Sequence, residues 1–310
     1  MAHEVESMMY TREVPWHGLG VRVEEAPNSA EAIRLAGLDW EVVPKPLFLE
    51  DGRQIPGYVA NTRTSDNSVL GVVTEKYKIV QNKEAFAFTD NIIGGDVRYE
   101  TAGSLKNGKS VWLLAHLPKT SILGDDVVPY LCFNNSHDGQ GAIRVFMTPI
   151  RVVCNNTLNI ALDGAQRFWS TRHMGNLEAK LAEASHTLGL ANKYMEELSK
   201  QADILAHTSI SREKIDEVIA EMFPIHTEDS DRHIANMKKA RNDMMVCYYM
   251  PDIRKFNGTQ WGLINAVADY CDHTAPMRNT QGYAENNFSR VVMGHPMLDF
   301  VTKKLATINA

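Results

Sequence analysis

Four arginines follow the turn at Gly139 with one acid, Asp163, among them before Glu178: Arg144, Arg151, Arg167 and Arg172. Phe168 and Trp169 stand between the last two, and His173 comes directly after. Guanidinium groups hold phosphates and flat aromatic faces stack on bases, so these residue types would suit a single nucleic-acid strand. At strand spacing Arg167, Trp169 and Thr171 share one face, while Phe168, Ser170 and Arg172 share the other. The same residues have a plainer reading: a core indole, with arginines that pair with acids elsewhere in the fold. The sequence leaves both standing.

A second cationic feature is Gly103-Ser-Leu-Lys-Asn-Gly-Lys-Ser110, which fits the phosphate-loop pattern G-x-x-x-x-G-K-[ST] residue for residue. Such a loop works between a strand and a helix, because the helix N-terminus and the loop amides hold the phosphates together. Here the exit is Ser110-Val-Trp-Leu-Leu-Ala-His-Leu-Pro118, which is short, β-prone and closed by proline. Asn107-Gly108 is itself a hairpin signal. The expectation is a hairpin with Lys106 and Lys109 at its tip, able to extend a phosphate track from Arg144. A nucleotide-processing enzyme built on the Gly103–Ser110 loop is the alternative.

Other chemistry is weakly indicated. Asn155, Asn156, Thr157 and Asn159 would cap a helix starting near Ile150 or bond a ligand, and capping is the stronger habit of Asn. Asp125, Asp126 and Asp138 would form a nuclease-like acid group only if the fold gathered them. The four cysteines match no Cys-x-x-Cys spacing and read as buried free thiols of a reducing compartment. No two histidines share a helix at metal-ligand spacing, so neither metal nor cofactor is expected.

These residues need elements to position them. Asn28 caps a short helix that ends at Gly37. Extended segments follow at 39–49, 58–64 and 69–73, then a helix over 82–93 stopped by Gly94-Gly95. A meander is expected from strands at 97–102, 111–117, 127–134 and 142–147, ended by Pro149, with a helix over 150–162 laid across it. Hairpins covered by a helix make an α+β layer. From Leu177 to Leu205 apolar residues recur at steps of four and three, which predicts one long helix over 176–205. That seam would pack inside the chain or against a second copy. Helices at 211–223, 229–249, 260–273 and 297–308 complete the chain. The fold class is therefore α+β: an antiparallel strand-rich core over 1–175 and a helical region over 176–310.

Charge supports a local site only. The chain carries net charge −6, yet residues 53–177 hold 13 Lys and Arg against 10 Asp and Glu, a balance of +3. Overall acidity does not forbid a basic groove. No apolar run approaches the roughly 20 residues of a membrane span, and the acidic N-terminus lacks the apolar stretch of a signal peptide.

Several segments together resemble a family of phage- and plasmid-encoded proteins known as a domain of unknown function. They are Pro15-Trp-His-Gly-Leu-Gly20, Ala102–Lys109 with Val111-Trp112, Arg151-Val-Val-Cys-Asn-Asn-Thr-Leu158, Gly258–Val267 and Asp269-Tyr-Cys-Asp-His273. The resemblance implies DNA metabolism of a mobile element in the cytoplasm of a bacterial host. The strand-rich front followed by a helix also looks like the core of the single-strand annealing recombinases, a likeness of fold only. The expected function is binding and annealing of single-stranded DNA in recombination or replication. Arg151, Arg167 and Arg172 would contact phosphate beside Trp169 and His173, with Arg144, Lys106 and Lys109 extending the track. A homo-oligomer through the 177–205 helix would serve that role. A protein that binds a host factor through its acidic ends is the remaining alternative.

Overall fold

The structure, a computed structural model, describes residues 5–11, 19–94, 97–151, 156–157, 168–188, 191–274 and 295–308. The chain is α+β: strand-rich through residue 171, helical after it. Its described residues form two compact units. The first takes the chain through Leu117, then Tyr130–Met147, then the stretch from Phe168 to Leu188. The second takes Pro118–Pro129, the chain from Thr148 to Thr157, and the chain from Asn192 onward.

In the first unit, β1 (Val5–Thr11), β2 (Val21–Val23), β6 (Tyr99–Leu105), β7 (Ser110–His116), β9 (Asp125–Ser136), β10 (Ile143–Arg151) and β12 (Phe168–Thr171) contribute to one sheet. With β8 (Thr120–Ile122) and β11 (Asn156–Thr157) of the second unit it counts nine strands among the described residues, along the path β11-β10-β9-β7-β6-β1-β2. β12 also pairs β10, and β8 pairs β9. Only β1 and β2 run parallel among the registers described. A second, three-stranded sheet is formed by β3 (Val42–Phe48), β4 (Gln54–Arg63) and β5 (Val69–Thr74).

Period-two patterning decides which way the large sheet faces. Val111, Leu113 and Ala115 of β7, Leu131 and Phe133 of β9, Ile143 and Val145 of β10 and Trp169 of β12 all point into one core. Covering that inner face are α1 (Ser29–Leu35), α2 (Asn82–Ile93) and α3 (Leu177–Leu188), through Ala32, Ala85, Phe86 and Ala184. Asn28 caps α1, its side-chain oxygen accepting from Glu31 N at 3.0 Å. Gln81 fixes the start of α2 against β3. Its amide accepts from Val42 N at 2.9 Å and donates to Val42 O at 2.8 Å, as a strand neighbour would.

The second unit is built on α7 (Gln260–Asp269), buried along almost its whole length. A helix buried on every side must be apolar all round, and its two buried amides are Gln260 and Asn265, the latter donating to Trp261 O at 2.9 Å. Thr259 caps it, accepting from Gly262 N at 3.2 Å. Around it lie α6 (Asp231–Tyr248), α8 (Pro296–Ile308) and β11, while α5 (Arg212–Met222) packs on α8. A turn of π-helix, Tyr270–Thr274, follows α7.

Three expectations change. The helix predicted over 150–162 is not what the described part forms: Ile150 pairs with Thr157 and Arg151 with Asn156, so β10 continues through Pro149 and β11 returns along it. Asn156 is thus a strand residue, not a cap. The helix expected over 176–205 corresponds to α3 and α4 (Ala191–His207), with residues 189–190 outside the described part. Of its seam residues, Ala184, Met195, Leu198, Ala202 and Leu205 are buried within the chain.

Candidate nucleic-acid interface

The phosphate-loop match folds as a hairpin. Leu105 of β6 pairs with Ser110 of β7, and the strand, not a helix, leaves the turn. Lys106, Asn107 and Gly108 all adopt positive φ, at 55°, 57° and 81°. The connection is therefore a four-residue turn rather than the two-residue turn suggested by Asn107-Gly108. With no helix N-terminus at its exit, the loop lacks the dipole and amide cradle a nucleotide needs. The Gly103–Ser110 segment is thus a hairpin and not a strand–loop–helix phosphate loop. Lys106 and Lys109 are half-buried at the tip, and Lys109 O accepts from His137 N at 2.8 Å.

The aromatic segment is also corrected. Trp169 sits opposite Val145 in the β10–β12 register and is 8% exposed, inside the core. A base has no access to its ring. His173 is 2% exposed, its ring stacked on Tyr77 at 4.5 Å and its Nδ1 bonded to Lys78 O at 2.9 Å. Burial lowers its pKa, which disfavours the charged form a phosphate would need. Arg167 lies outside the described residues. Arg151 closes β10 in the second unit, paired through its backbone to Asn156.

What remains is on the sheet's outer face. Since Ile143 and Val145 point inward, Arg144 points outward, half-buried and opposite Ser170 of β12. Ser170 is exposed, and so is Arg172, one residue past the end of β12. Neither guanidinium makes an ion pair or hydrogen bond among the described residues. Arg63 shows the contrast. It is 9% exposed, bridges Glu6 at 2.7 Å and Asp66 at 2.5 Å, and lies 5.5 Å from the Trp40 ring centroid. Its acids push its own pKa up, and its guanidinium holds Asp66 well below the carboxylate range.

The outer face has an aromatic that attention to sequence neighbours passed over. Trp112 of β7 alternates with the buried Val111 and Leu113, so it faces outward, half-buried. Its partner across β6 is Gly103, where an added Cβ would come within 2.4 Å of the indole Cη2. The glycine leaves room for the indole to lie over the neighbouring strand. On the other side Trp112 pairs with Asn134 of β9, whose amide donates to Ser110 Oγ at 3.1 Å and Val111 O at 3.2 Å. Period-two alternation from Val111 to Ala115 was the signal that could have found Trp112.

The proposed acid group does not assemble. Asp125 pairs with Lys255 at 2.7 Å and Asp126 with Lys119 at 2.5 Å, both in the second unit. Asp138 holds its own turn in the first unit, accepting from Ser136 Oγ at 2.5 Å and Gln140 N at 2.9 Å. No group of three or more His, Cys, Asp or Glu is placed to hold a metal among the described residues. Cys132, Cys247 and Cys271 are buried free thiols. Among the described residues no helix is long and apolar enough to cross a membrane.

Comparison with known proteins adds one result. The profile of a domain of unknown function, DUF932, matches residues 69–292, more than two thirds of the chain. The chain belongs to the DUF932 family. That span of the DUF932 chain takes in Trp112, Arg144 and Arg172 as well as α6 and α7. No curated protein and no solved structure matches the chain.

Proposed function

We propose that this DUF932 protein binds single-stranded DNA on the outer face of its large sheet. The supporting observation is the pair Arg144, outward on β10, and Arg172, exposed just past the end of β12, neither bridged to an acid among the described residues. Trp112 supplies the aromatic surface in place of Trp169. It lies two strand spacings from β10, about 10 Å in the hydrogen-bonding direction. A base stacks on the indole while guanidinium groups hold the adjoining phosphates, an arrangement indifferent to sequence. Such binding would serve strand annealing in the recombination or replication of a phage or plasmid, with pairing of the strands as the source of free energy.

Anisotropy titration of a labelled oligonucleotide at two salt concentrations tests the reading. Wild type binds more weakly at high salt, with a slope of about −0.7 per phosphate contacted. Changing both Arg144 and Arg172 to Ala lowers that slope by roughly one to two and weakens binding to all sequences alike. Trp112→Ala costs about 1–3 kcal/mol of binding, while Trp112→Phe keeps most of it. Absence of binding at low salt ends the proposal.

A further inference from the structure

A separate part of the first unit is lined with hydrogen-bond acceptors that have no donors. The strap after β5, residues Lys78–Asn82, is tied to the ends of two sheet strands. Lys78 N donates to His173 O at 2.8 Å, and Lys78 O accepts from His173 Nδ1. Val80 O accepts from Asn135 Nδ2 at 2.8 Å. Asn82 Oδ1 meets His137 Nε2 at 3.2 Å. From the three-stranded sheet, Asn61 Nδ2 donates to His137 O at 2.8 Å.

These bonds fix every orientation. Asn61 and Asn135 aim their amide nitrogens at backbone carbonyls, so their Oδ1 atoms point the other way and cannot be exchanged by a flip. Asn82 spends its Nδ2 on Leu38 O at 3.0 Å and Trp40 O at 3.4 Å, so its Oδ1 requires a proton on His137 Nε2. Lys78 O likewise requires a proton on His173 Nδ1. The leftover atoms are His137 Nδ1, His173 Nε2, Asn61 Oδ1 and Asn135 Oδ1, all buried and without a partner. Each is an acceptor. Asn61, Asn135 and His137 are 0% exposed and His173 is 2% exposed.

We propose that this node binds internal water, at least two molecules, whose O–H groups donate to the lone pairs of His137, His173, Asn61 and Asn135. The bias of the lining selects the occupant. A ligand here must bring hydrogen-bond donors or positive charge, and an anion or a carbonyl is excluded. A buried cation needs a paired negative charge, and Asp138 already accepts from Ser136 and Gln140. Buried water typically makes about three hydrogen bonds to groups otherwise unsatisfied, and removing it is costly. These waters would join the strap, the β9–β10 turn, the end of β12 and β4 where direct side-chain bonds leave acceptor atoms over.

The test is a high-resolution crystal structure of the full chain, with imidazole 15N spectra of the same protein in solution. The expected result is ordered density within hydrogen-bond distance of His137 Nδ1 and His173 Nε2. The unprotonated nitrogens should show the upfield 15N shift of hydrogen-bond acceptors, with protons on His137 Nε2 and His173 Nδ1. Lone-pair nitrogens at the shift of a free acceptor, with no density beside them, overturn the proposal. Anomalous scattering from a metal at the node overturns it too.

Discussion

His137 and His173 make the clearest case at the scale of single residues. Burial holds His137 neutral down to about pH 3, with the neighbouring His173 acting in the same direction, and burial lowers His173 as well. An unfolded chain protonates both near 6.5. Their contribution to stability is complete above about 6.5 and is lost as pH falls toward the folded values, because only the unfolded state gains the protons. The slope is on the order of 1 kcal/mol per pH unit for each histidine. Urea midpoints measured between pH 7.5 and 5, above the range where carboxylates titrate, should fall steadily. His173→Phe, which keeps a ring beside Tyr77, should flatten that fall. A profile already flat in wild type would mean that the imidazoles charge freely in the native state. The sequence could not supply this pair. His137 and His173 lie far apart along the chain, and neither neighbourhood carries a ligand spacing. The same limit produced the error over Trp169: Arg167 and Arg172 frame it in sequence, but its register with Val145 turns the ring inward.

Among the elements, strands and turns were legible where local chemistry dictates them. Asn28 caps a helix, the segment over 82–93 is a helix, and Asn107-Gly108 marks a hairpin. The helix expected after Pro149 failed: Ile150 and Arg151 continue β10, and Thr157 and Asn156 pair back along it. How elements meet was not legible either. Gly71 of β5 lies so close to the β9–β10 turn that an added Cβ would stand 2.6 Å from the Asp138 backbone. Backbone cannot yield as a flexible side chain does. Gly71→Ala should therefore destabilise the protein by about 1–3 kcal/mol, as overpacking does. A thermal melt should show Tm lowered by several degrees. An unchanged Tm would show that β5 and the turn are free to separate.

For the whole molecule, the basic middle seen in the sequence resolves into cations of different fates. Arg63 is neutralised by Glu6 and Asp66, whereas Arg144 and Arg172 stay unpaired among the described residues. Net charge of −6 then belongs to the rest of the surface, and a bound strand would be confined to one face of one sheet. The most direct measurement is photo-cross-linking of bromouracil-containing single-stranded DNA to the intact protein, with the adducts located by mass spectrometry. The proposed interface requires adducts on Trp112 or the β7 and β12 peptides beside it, lost in the Arg144→Ala, Arg172→Ala double variant. Adducts confined to other parts of the chain, or none at low salt, would contradict it.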